Sequence, residues 1–535
     1  MLKRVINFIC LFSLALVIIN CANRGNPSGG EKDTTPPLIT KTSPENYSTN
    51  FNAREIKIHF DEYVKIKNLQ RNLIISPPMD PAPEITPLGS ASKYITIKIY
   101  DTLSPNTTYA FNFGESIVDN NEENPYQFYR YVFSTGEFID SLSVSGSITD
   151  ALKRTTEEFV SVMLYEVDST FNDSVIYKEK PKYITNTLDS TTTFSLENIK
   201  AGKYLMMALK DENSNYTFDQ KNDKIGFVDQ FIDLPTDSSY TIELFKEKTN
   251  FKATRPNLIS GQKIAFGYEG GHEGIQIKML SPAADTIRHR ITKDQQTDTL
   301  YYWYTPKIVS DSLFFELRKD SYIDTLTVRL KDQLRDSLRI SAGQSRTIEF
   351  DDPFELEANT PFENIDEKKI SFLDKDSIAV PFSTSLDTLN NKYQFNFDKT
   401  EDNSYTIGLL PGTITDLFGD SNDSLSYSFR TRSLADYGNV RLNLRNATYP
   451  VIVQLINENE DIIVEKYSTK PEAIDFNNVT PGMYYLRVIF DANANGIYDP
   501  GNYLQKIQSE RVSYYPNIID VRASWNLIEE FILQD

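Results

Sequence analysis

The chain has 535 residues, and its 55 lysine and arginine residues against 75 aspartate and glutamate residues give a net charge of −20 at pH 7. The acidic residues are spread along the chain and leave no basic stripe for phosphates, which excludes nucleic-acid binding. The only cysteines are Cys10 and Cys21, which excludes a disulfide framework and a cysteine-based metal site. A chain of this length predicts roughly three to five domains.

The first residues predict export. Residues 1–4 form a short basic segment, and the apolar run Val5–Ile19 is too short for a comfortable membrane span but typical of a signal peptide. Ile18-Ile19-Asn20-Cys21 resembles a bacterial lipobox. This resemblance implies that residues 1–20 are removed and that Cys21 is acylated. The alternative is an ordinary signal peptide that happens to contain a cysteine.

The segment after the cysteine is predicted to be a flexible tether over residues 21–36, because it is rich in glycine, asparagine, serine and charged residues. Ala22 stands where lipoproteins retained in the inner membrane carry an aspartate, so the lipobox resemblance favours the outer membrane. Both the periplasmic side and the cell surface stay open, and the surface is favoured.

Short alternating segments dominate the rest of the chain. Examples are Ile56–Phe60, Tyr94–Ile99 and Thr325–Leu330, in which apolar and polar residues alternate. This period of two, interrupted by Pro, Asn, Asp and Gly, is typical of antiparallel strands in β-sandwiches. We therefore predict an all-β fold of tandem sandwiches.

Two parts of the chain repeat at a constant offset. Residues 198–219 match residues 478–499, so that Gly202 corresponds to Gly482 and Asp211 to Asp491, an offset of 280. A fainter repeat precedes each copy, with residues 106–135 matched by residues 403–431. The repeats predict an order A-B-C-A′-B′ in which the middle unit has no twin.

The A unit carries recognisable family marks. Thr35-Pro36-Pro37, Ser43–Asn46, Ile56–Val64 and Leu103–Tyr109 resemble the bacterial Ig-like domain named after the surface-layer protein SbsA, over roughly residues 34–137. The A′ unit is similar but lacks the Pro-Pro start and the Phe-Asp-Glu corner. The B units resemble transthyretin-like accessory sandwiches of envelope proteins, and the N-terminal third is similar to lipoproteins of Bacteroidota.

The resulting domain prediction has seven parts. They are a signal peptide at 1–20, a tether at 21–36, an SbsA-type Ig-like domain at 37–137, a transthyretin-like β-sandwich at 138–249, a β-rich middle domain at 250–350, a degenerate Ig-like domain at 351–433 and a second transthyretin-like β-sandwich at 434–535.

Each B unit contains an acidic loop with oxygen-bearing side chains at alternate positions, which predicts a structural calcium site. In the second loop the predicted ligands are Asp491, Asn493, Asn495, the carbonyl of Ile497, and Asp499. In the first loop they are Asp211, Asn213, Asn215, Thr217 and Asp219.

Two features limit the predicted calcium affinity. In the first loop, Tyr216 stands at the position equivalent to Gly496 of the second, and a tyrosine disfavours a left-handed turn there. Two carboxylates per loop predict weak binding, with a Kd on the order of 10⁻⁴ to 10⁻³ M. The alternative is a hairpin turn in which the Asn and Asp side chains cap their own backbone.

The sequence contains no nucleophile elbow, phosphate loop or dinucleotide fingerprint, which predicts a non-catalytic protein without an organic cofactor. We predict a structural or interaction lipoprotein that binds another envelope protein, as a subunit of an outer-membrane complex. The first alternative is a surface carbohydrate-binding lipoprotein, which requires an exposed aromatic platform near Tyr301–Tyr304. The second is an enzyme in the middle domain, which requires a deep pocket with convergent polar groups.

Overall fold

The computed structural model describes residues 33–187, 192–281, 287–343 and 346–533. Cys21, the predicted signal peptide and most of the predicted tether lie outside these residues, so acylation stays a prediction. The described residues form forty-one β-strands, one four-residue α-helix and three short 3-10 helices. None of the helices in these ranges has the length and apolar character needed to cross a membrane. The predicted all-β fold is confirmed, and the sheets group into five sandwiches, numbered 1 to 5 along the chain.

Sandwich 1 has eight strands: β1 (Ile39–Ser43), β2 (Glu55–Ile66), β3 (Ile74–Ser76), β4 (Glu84–Thr86), β5 (Ser92–Lys98), β6 (Thr108–Asn112), β7 (Ile117–Asp119) and β8 (Arg130–Ser134). The helix α1 (Leu69–Asn72) connects β2 to β3. One sheet has the order β1-β2-β5-β4 with β7 beside β2, and the other has the order β3-β6-β8. Alternate residues of β2, namely Ile56, Ile58 and Phe60, enter the core, as the period of two predicts.

Sandwich 2 has eight strands: β9 (Leu142–Asp150), β10 (Ser161–Glu166), β11 (Tyr183–Asn186), β12 (Thr193–Ile199), β13 (Gly202–Lys210), β14 (Lys224–Phe227), β15 (Ile232–Leu234) and β16 (Ser239–Leu244). A 3-10 helix, Asp173–Tyr177, lies between β10 and β11. One sheet has the order β11-β10-β13-β14 with β15 beside β13, and the other is β12-β9-β16 with β16 parallel to β9. Strand β13 is buried on both faces, because Met206 faces the inner core and Met207 a second, outer core.

Sandwich 3 has eight strands: β17 (Lys252–Ala253), β18 (Asn257–Ser260), β19 (Lys263–Glu269), β20 (Gln276–Ser281), β21 (Arg288–Lys293), β22 (Thr299–Thr305), β23 (Ser312–Lys319) and β24 (Tyr322–Arg329). One sheet has the order β17-β19-β22-β21 with β18 beside β19, and the other has the order β20-β23-β24. Phe266, Tyr302 and Phe315 meet edge to face in the core, which is a favoured aromatic geometry.

Sandwich 4 has nine strands: β25 (Ile340–Ala342), β26 (Phe354–Ala358), β27 (Phe362–Ile365), β28 (Ile370–Leu373), β29 (Ser383–Asp387), β30 (Lys392–Asn396), β31 (Ser404–Leu409), β32 (Ile414–Asp416) and β33 (Leu425–Arg430). The 3-10 helix Glu367–Lys369 precedes β28. The sheets have the orders β25-β26-β30-β29, β27-β32 and β28-β31-β33. Phe354 stacks on Phe429 in the core, with ring centroids 4.4 Å apart.

Sandwich 5 has eight strands: β34 (Gly438–Arg445), β35 (Val451–Ile456), β36 (Ile462–Ser468), β37 (Ile474–Val479), β38 (Gly482–Phe490), β39 (Val512–Tyr514), β40 (Ile519–Val521) and β41 (Asn526–Ile532). The 3-10 helix Leu434–Asp436 connects it to sandwich 4. The sheets are β36-β35-β38-β39 with β40 beside β38, and β37-β34-β41 with β41 parallel to β34. This is the strand order of sandwich 2.

The structure repeats hydrogen bonds as well as strands. Tyr204 and Tyr484, which are 280 residues apart, donate their hydroxyl protons to the carbonyls of Lys200 and Thr480. In sandwiches 1 and 4 the hydroxyls of Thr135 and Thr431 accept from the amides of Thr107 and Asn403. The repeats seen in the sequence therefore carry the same backbone geometry in both copies.

Consecutive sandwiches contact one another, and sandwich 5 also folds back onto sandwich 2. Polar contacts join each pair, namely Lys221–Glu269 between 2 and 3, Arg290–Glu363 between 3 and 4, Tyr437–Glu349 between 4 and 5, and Tyr514 with the carbonyl of Leu152 between 5 and 2. Sandwiches 2 to 5 thus form a closed circuit of contacts, and sandwich 1 is attached to it through sandwich 2.

Candidate functional site

The second acidic loop connects β38 to β39. Its first aspartate, Asp491, is buried and accepts the backbone N–H groups of Asn495 at 3.1 Å and of Gly496 at 2.8 Å. The side-chain amides of Asn493 and Asn495 each donate to Oδ2 of Asp499 at 2.6 Å. The structure therefore brings four of the predicted ligands together, and they close the turn by hydrogen bonds among themselves.

Sandwich 2 also contacts this loop, because the Lys248 ammonium pairs with Oδ1 of Asp499. Burial raises the pKa of Asp499, but the hydrogen bonds from Lys248, Asn493 and Asn495 outweigh it and hold the pKa below its usual value. Three hydrogen-bond donors therefore stabilise the ionised carboxylate of Asp499 in this loop.

These contacts test how well the loop fits calcium. A calcium ion would have to displace Lys248 and turn the amide oxygens of Asn493 and Asn495 towards itself, because their nitrogens now face Asp499. Within the described ranges no group of three or more His, Cys, Asp and Glu side chains is placed to hold a metal. The predicted calcium ligands of each loop include only two carboxylates, so the lack of a group of three or more such side chains does not test them. Calcium binding therefore stays a prediction.

The first acidic loop, between β13 and β14, is closed differently. Asp211 accepts the backbone N–H groups of Asn213 and Tyr216, and only the second of these bonds has a counterpart in the second loop, from Gly496 to Asp491. Asn215 accepts both the N–H and the hydroxyl of Thr217. Asp219 accepts from the backbone of Lys221 and the side chain of Asn222, two residues outside the predicted ligand set. The convergence on the last aspartate is thus a feature of the second loop.

The left-handed turn forms in the first loop although Tyr216 disfavours it. Tyr216 has φ +63° and Gly496 has φ +77°, and the preceding positive-φ pair, Ser214 at +54° and Ala494 at +59°, also matches. The cost of this conformation for a residue with a Cβ is roughly 1–2 kcal/mol. It is offset by the hydrogen bond from Tyr216 N–H to Asp211 and by packing of the Tyr216 ring against the outer core of sandwich 2.

The aromatic platform that the carbohydrate-binding alternative requires is not formed by residues 301–304. Tyr302, Trp303 and Tyr304 are buried, and Trp303 donates its indole N–H to Thr292 at 2.9 Å. Trp303 also meets Phe418 of sandwich 4. Alternation places an aromatic side chain on each face of β22, and both faces are covered by protein.

A third feature was not predicted, although the sequence contains a signal for it. The offset between the two B units is 280 at Asp219 and Asp499, but strands β15 and β40 begin at Ile232 and Ile519, an offset of 287. The second copy therefore has seven additional residues between these points. They lie within residues 500–510, which we call the docking hairpin, and a bridge between Asn502 and Ile507 closes it.

The docking hairpin inserts into sandwich 2. Tyr503 is 0% exposed and belongs to the outer core of sandwich 2, with its ring 5.4 Å from that of Phe227. Farther along, Gln508 donates to the carbonyl of Phe227 at 3.0 Å and Ser509 donates to Glu243 at 2.6 Å. The extra residues of the second copy therefore add a buried contact to the others that join it to the first, such as that of Tyr514 with Leu152.

Comparisons with known proteins identify one domain. The overall fold is similar to domains 1–6 of the surface-layer protein SbsC (12% identity, 91% of this chain and 67% of that chain, TM-score 0.16), to the insect immune protein hemolin (10%, 74% and 97%, 0.21) and to the TIE protein of Bacillus anthracis (10%, 95% and 76%, 0.14). At such low scores these likenesses carry no information about function. The comparison with curated proteins gave no match. A family model described as a bacterial Ig-like domain matches residues 33–135, so sandwich 1 is similar to that family of domains.

Proposed function

We propose that the chain is a non-catalytic outer-membrane lipoprotein of the type found in Bacteroidota, anchored through an acylated Cys21, whose sandwiches bind another envelope protein. An Ig-like all-β fold is typically non-catalytic, and the family comparison identifies no enzyme family. The partner we expect is an integral β-barrel protein of the same membrane. Sandwich 5 supplies the binding surface.

The observation that supports this proposal is that sandwich 5 exposes more large apolar side chains than its counterpart, sandwich 2. Among the described residues of 138–249, only Phe138 and Phe231 are large, apolar and exposed. Sandwich 5 exposes many such residues, namely Ile462, Ile463, Tyr467, Met483, Ile497, Leu504, Ile507, Ile518, Trp525, Ile528 and Ile532. Exposed apolar patches mark interaction sites in soluble proteins, and three of these residues, Ile462, Ile463 and Tyr467, lie on the single strand β36.

Strand β36 is the part of this surface best suited to a partner strand. It pairs with β35 on one side, and the described strands leave its other side open, with Ile462, Ile463 and Tyr467 exposed by 50%, 44% and 46%. Its counterpart in sandwich 2, β11, lies beside β3 of sandwich 1, and Ile184 N–H donates to Ser76 Oγ at 3.1 Å. The same edge is covered in one copy and open in the other, and an open edge can accept a strand from a partner.

Affinity purification of a tagged copy from gently solubilised outer membranes, followed by mass spectrometry, tests the partner. We expect stoichiometric recovery of a β-barrel protein, and its loss in Ile463→Lys, because a lysine on an edge strand opposes strand addition. Ile323→Lys, at a 59% exposed position on the edge strand β24 of sandwich 3, is the matched control and retains the partner. Recovery of the chain alone would contradict the proposal.

The anchor needs its own experiment. We expect Cys21→Ser to move the protein from the membrane fraction to the soluble fraction, because each buried methylene of the acyl chains contributes about 0.8 kcal/mol to membrane binding. Cys10→Ser is the matched control, since that residue lies in the segment that the proposal removes. A Cys21→Ser variant that stays in the membrane would show that the anchor lies elsewhere.

A further inference from the structure

The contact between the docking hairpin and sandwich 2 has the layout of a ligand in a cleft. Tyr503 is the inserted side chain, with Phe227 and Ile176 in the surrounding core. Gly501 lies directly on Phe245, and a Cβ at that position would come within 2.6 Å of the Phe245 ring and 2.7 Å of the carbonyl of Ile507. The cleft therefore requires a glycine two residues before the aromatic side chain.

The cleft also contains carboxylates aimed at the hairpin. Glu247 of sandwich 2 is only 3% exposed, and its Oε1 accepts the backbone N–H of Tyr503 at 2.6 Å. Its Oε2 accepts from the side chain of Gln220 at 2.8 Å. A buried carboxylate is costly unless it is hydrogen-bonded, so the amide of Tyr503 supplies a donor that the cleft lacks without the hairpin.

A second carboxylate, that of Asp173, binds the hydroxyl of Tyr503. Oδ1 of Asp173 accepts the Tyr503 hydroxyl at 3.1 Å and the Lys506 ammonium at 2.6 Å. The Lys506 ammonium also lies 3.8 Å from the centre of the Tyr503 ring, within the range of a cation–π contact. Lys506 has φ +55°, which turns the hairpin so that its ammonium returns to the ring.

We propose that sandwich 2 carries a docking cleft for a tight hairpin of the pattern Gly-x-Tyr-x-x-Lys, and that the docking hairpin of sandwich 5 is its built-in ligand. The hairpin acts as a latch that holds sandwiches 2 to 5 in a closed circuit. This inference is independent of the envelope partner, because both halves of the contact belong to this chain. Opening the latch frees the cleft for the same hairpin from another molecule.

The test uses a fluorescent peptide with the sequence of residues 499–510 and the full chain carrying Tyr503→Ala. The substitution removes the inserted ring, so the cleft is open, and we expect saturable binding of the peptide by fluorescence anisotropy. The wild-type chain, whose cleft is filled, should bind at least about tenfold more weakly, which is the effect of a competing intramolecular ligand. The same peptide with alanine in place of its tyrosine should not bind.

Small-angle scattering tests the latch itself. Tyr503→Ala should increase the radius of gyration of the chain, whereas Leu504→Ala, at a neighbouring side chain that is 53% exposed, should leave it unchanged. Gly501→Val provides a second route to the open form, because it alters only the hairpin and blocks its approach to Phe245. If both open variants keep the wild-type radius, or if the peptide binds them no better than it binds the wild type, the proposal is wrong.

Discussion

Sandwiches 2 and 5 have the same strand order and the same local hydrogen bonds, but they meet the rest of the molecule on different sides. Sandwich 2 has its β11 edge beside sandwich 1 and its outer core filled by Tyr503. Sandwich 5 leaves β36 open and extends the docking hairpin. The comparison shows that the same fold can accept an inserted hairpin in the first copy and supply that hairpin in the second. The difference comes from seven additional residues and one uncovered strand edge.

The strongest test of the comparison is whether the two cores are equivalent. Met206 and Leu486 occupy corresponding positions on β13 and β38, and both are fully buried. We expect Met206→Ala and Leu486→Ala each to lower the free energy of unfolding of their own sandwich by about 2–5 kcal/mol, through lost burial and the cavity left behind. Native-state hydrogen exchange on the amides of β13 and β38 measures each sandwich separately. A loss in only one copy would break the equivalence.

The left-handed turn allows a sharper comparison. Gly496 has φ +77°, and a Cβ there would meet no atom within 4 Å, so only the backbone conformation opposes a side chain. We expect Gly496→Ala to destabilise the second loop by roughly 1–2 kcal/mol, seen as faster exchange of the amides held by Asp491. Ser214→Ala is the control, because that position already carries a Cβ at positive φ. Equal effects of the two substitutions would show that the loss at Gly496 does not come from placing a Cβ at positive φ.

The tyrosine hydroxyls at the start of β13 and β38 should contribute equally in the two copies. Tyr204 donates to Lys200 at 3.1 Å and Tyr484 to Thr480 at 2.8 Å. We expect Tyr204→Phe and Tyr484→Phe each to cost about 1 kcal/mol, since the ring stays packed and the carbonyl loses its donor. Hydrogen exchange, measured on the amides of each sandwich during thermal unfolding, checks both substitutions. Tyr94→Phe, at an exposed tyrosine, is the control. A cost in one copy alone would mean that its carbonyl finds another donor.

Calcium is expected to have the smallest effect and to separate the two loops. At a concentration equal to Kd, binding to the folded chain alone contributes about 0.4 kcal/mol. We expect millimolar calcium to slow hydrogen exchange in the second loop, where Asn493, Asn495 and Asp499 converge, more than in the first. Lys248→Ala should strengthen the response, because the ammonium occupies Asp499. No change at 10 mM calcium, a concentration at least about tenfold above the expected Kd, would leave the loops as hydrogen-bonded turns.

Local patterns in the sequence predicted the all-β fold and the repeats. Ile56, Ile58 and Phe60 alternate because a strand presents successive side chains to opposite faces, so a half-buried strand can be recognised from its own residues. The repeat offset of 280 reappears as matching positive-φ positions, Ser214 with Ala494 and Tyr216 with Gly496. These features depend only on residues that are close together in the sequence, so the sequence alone is sufficient to predict them.

Contacts between distant segments required the tertiary structure. The sequence did not show that Trp303 is covered by sandwich 4, that Lys248 pairs with Asp499, or that Tyr503 fills the outer core of sandwich 2. Alternation shows that a strand has a face to bury but does not show which distant segment covers it, because that depends on how whole sandwiches are placed. The sequence by itself thus determined the strand pattern and the duplication, but its boundary at residues 350/351 missed that β25 pairs with β26 of sandwich 4. Only the tertiary structure decided where one sandwich ends, and which surfaces are filled and which stay open, because these depend on contacts between distant segments.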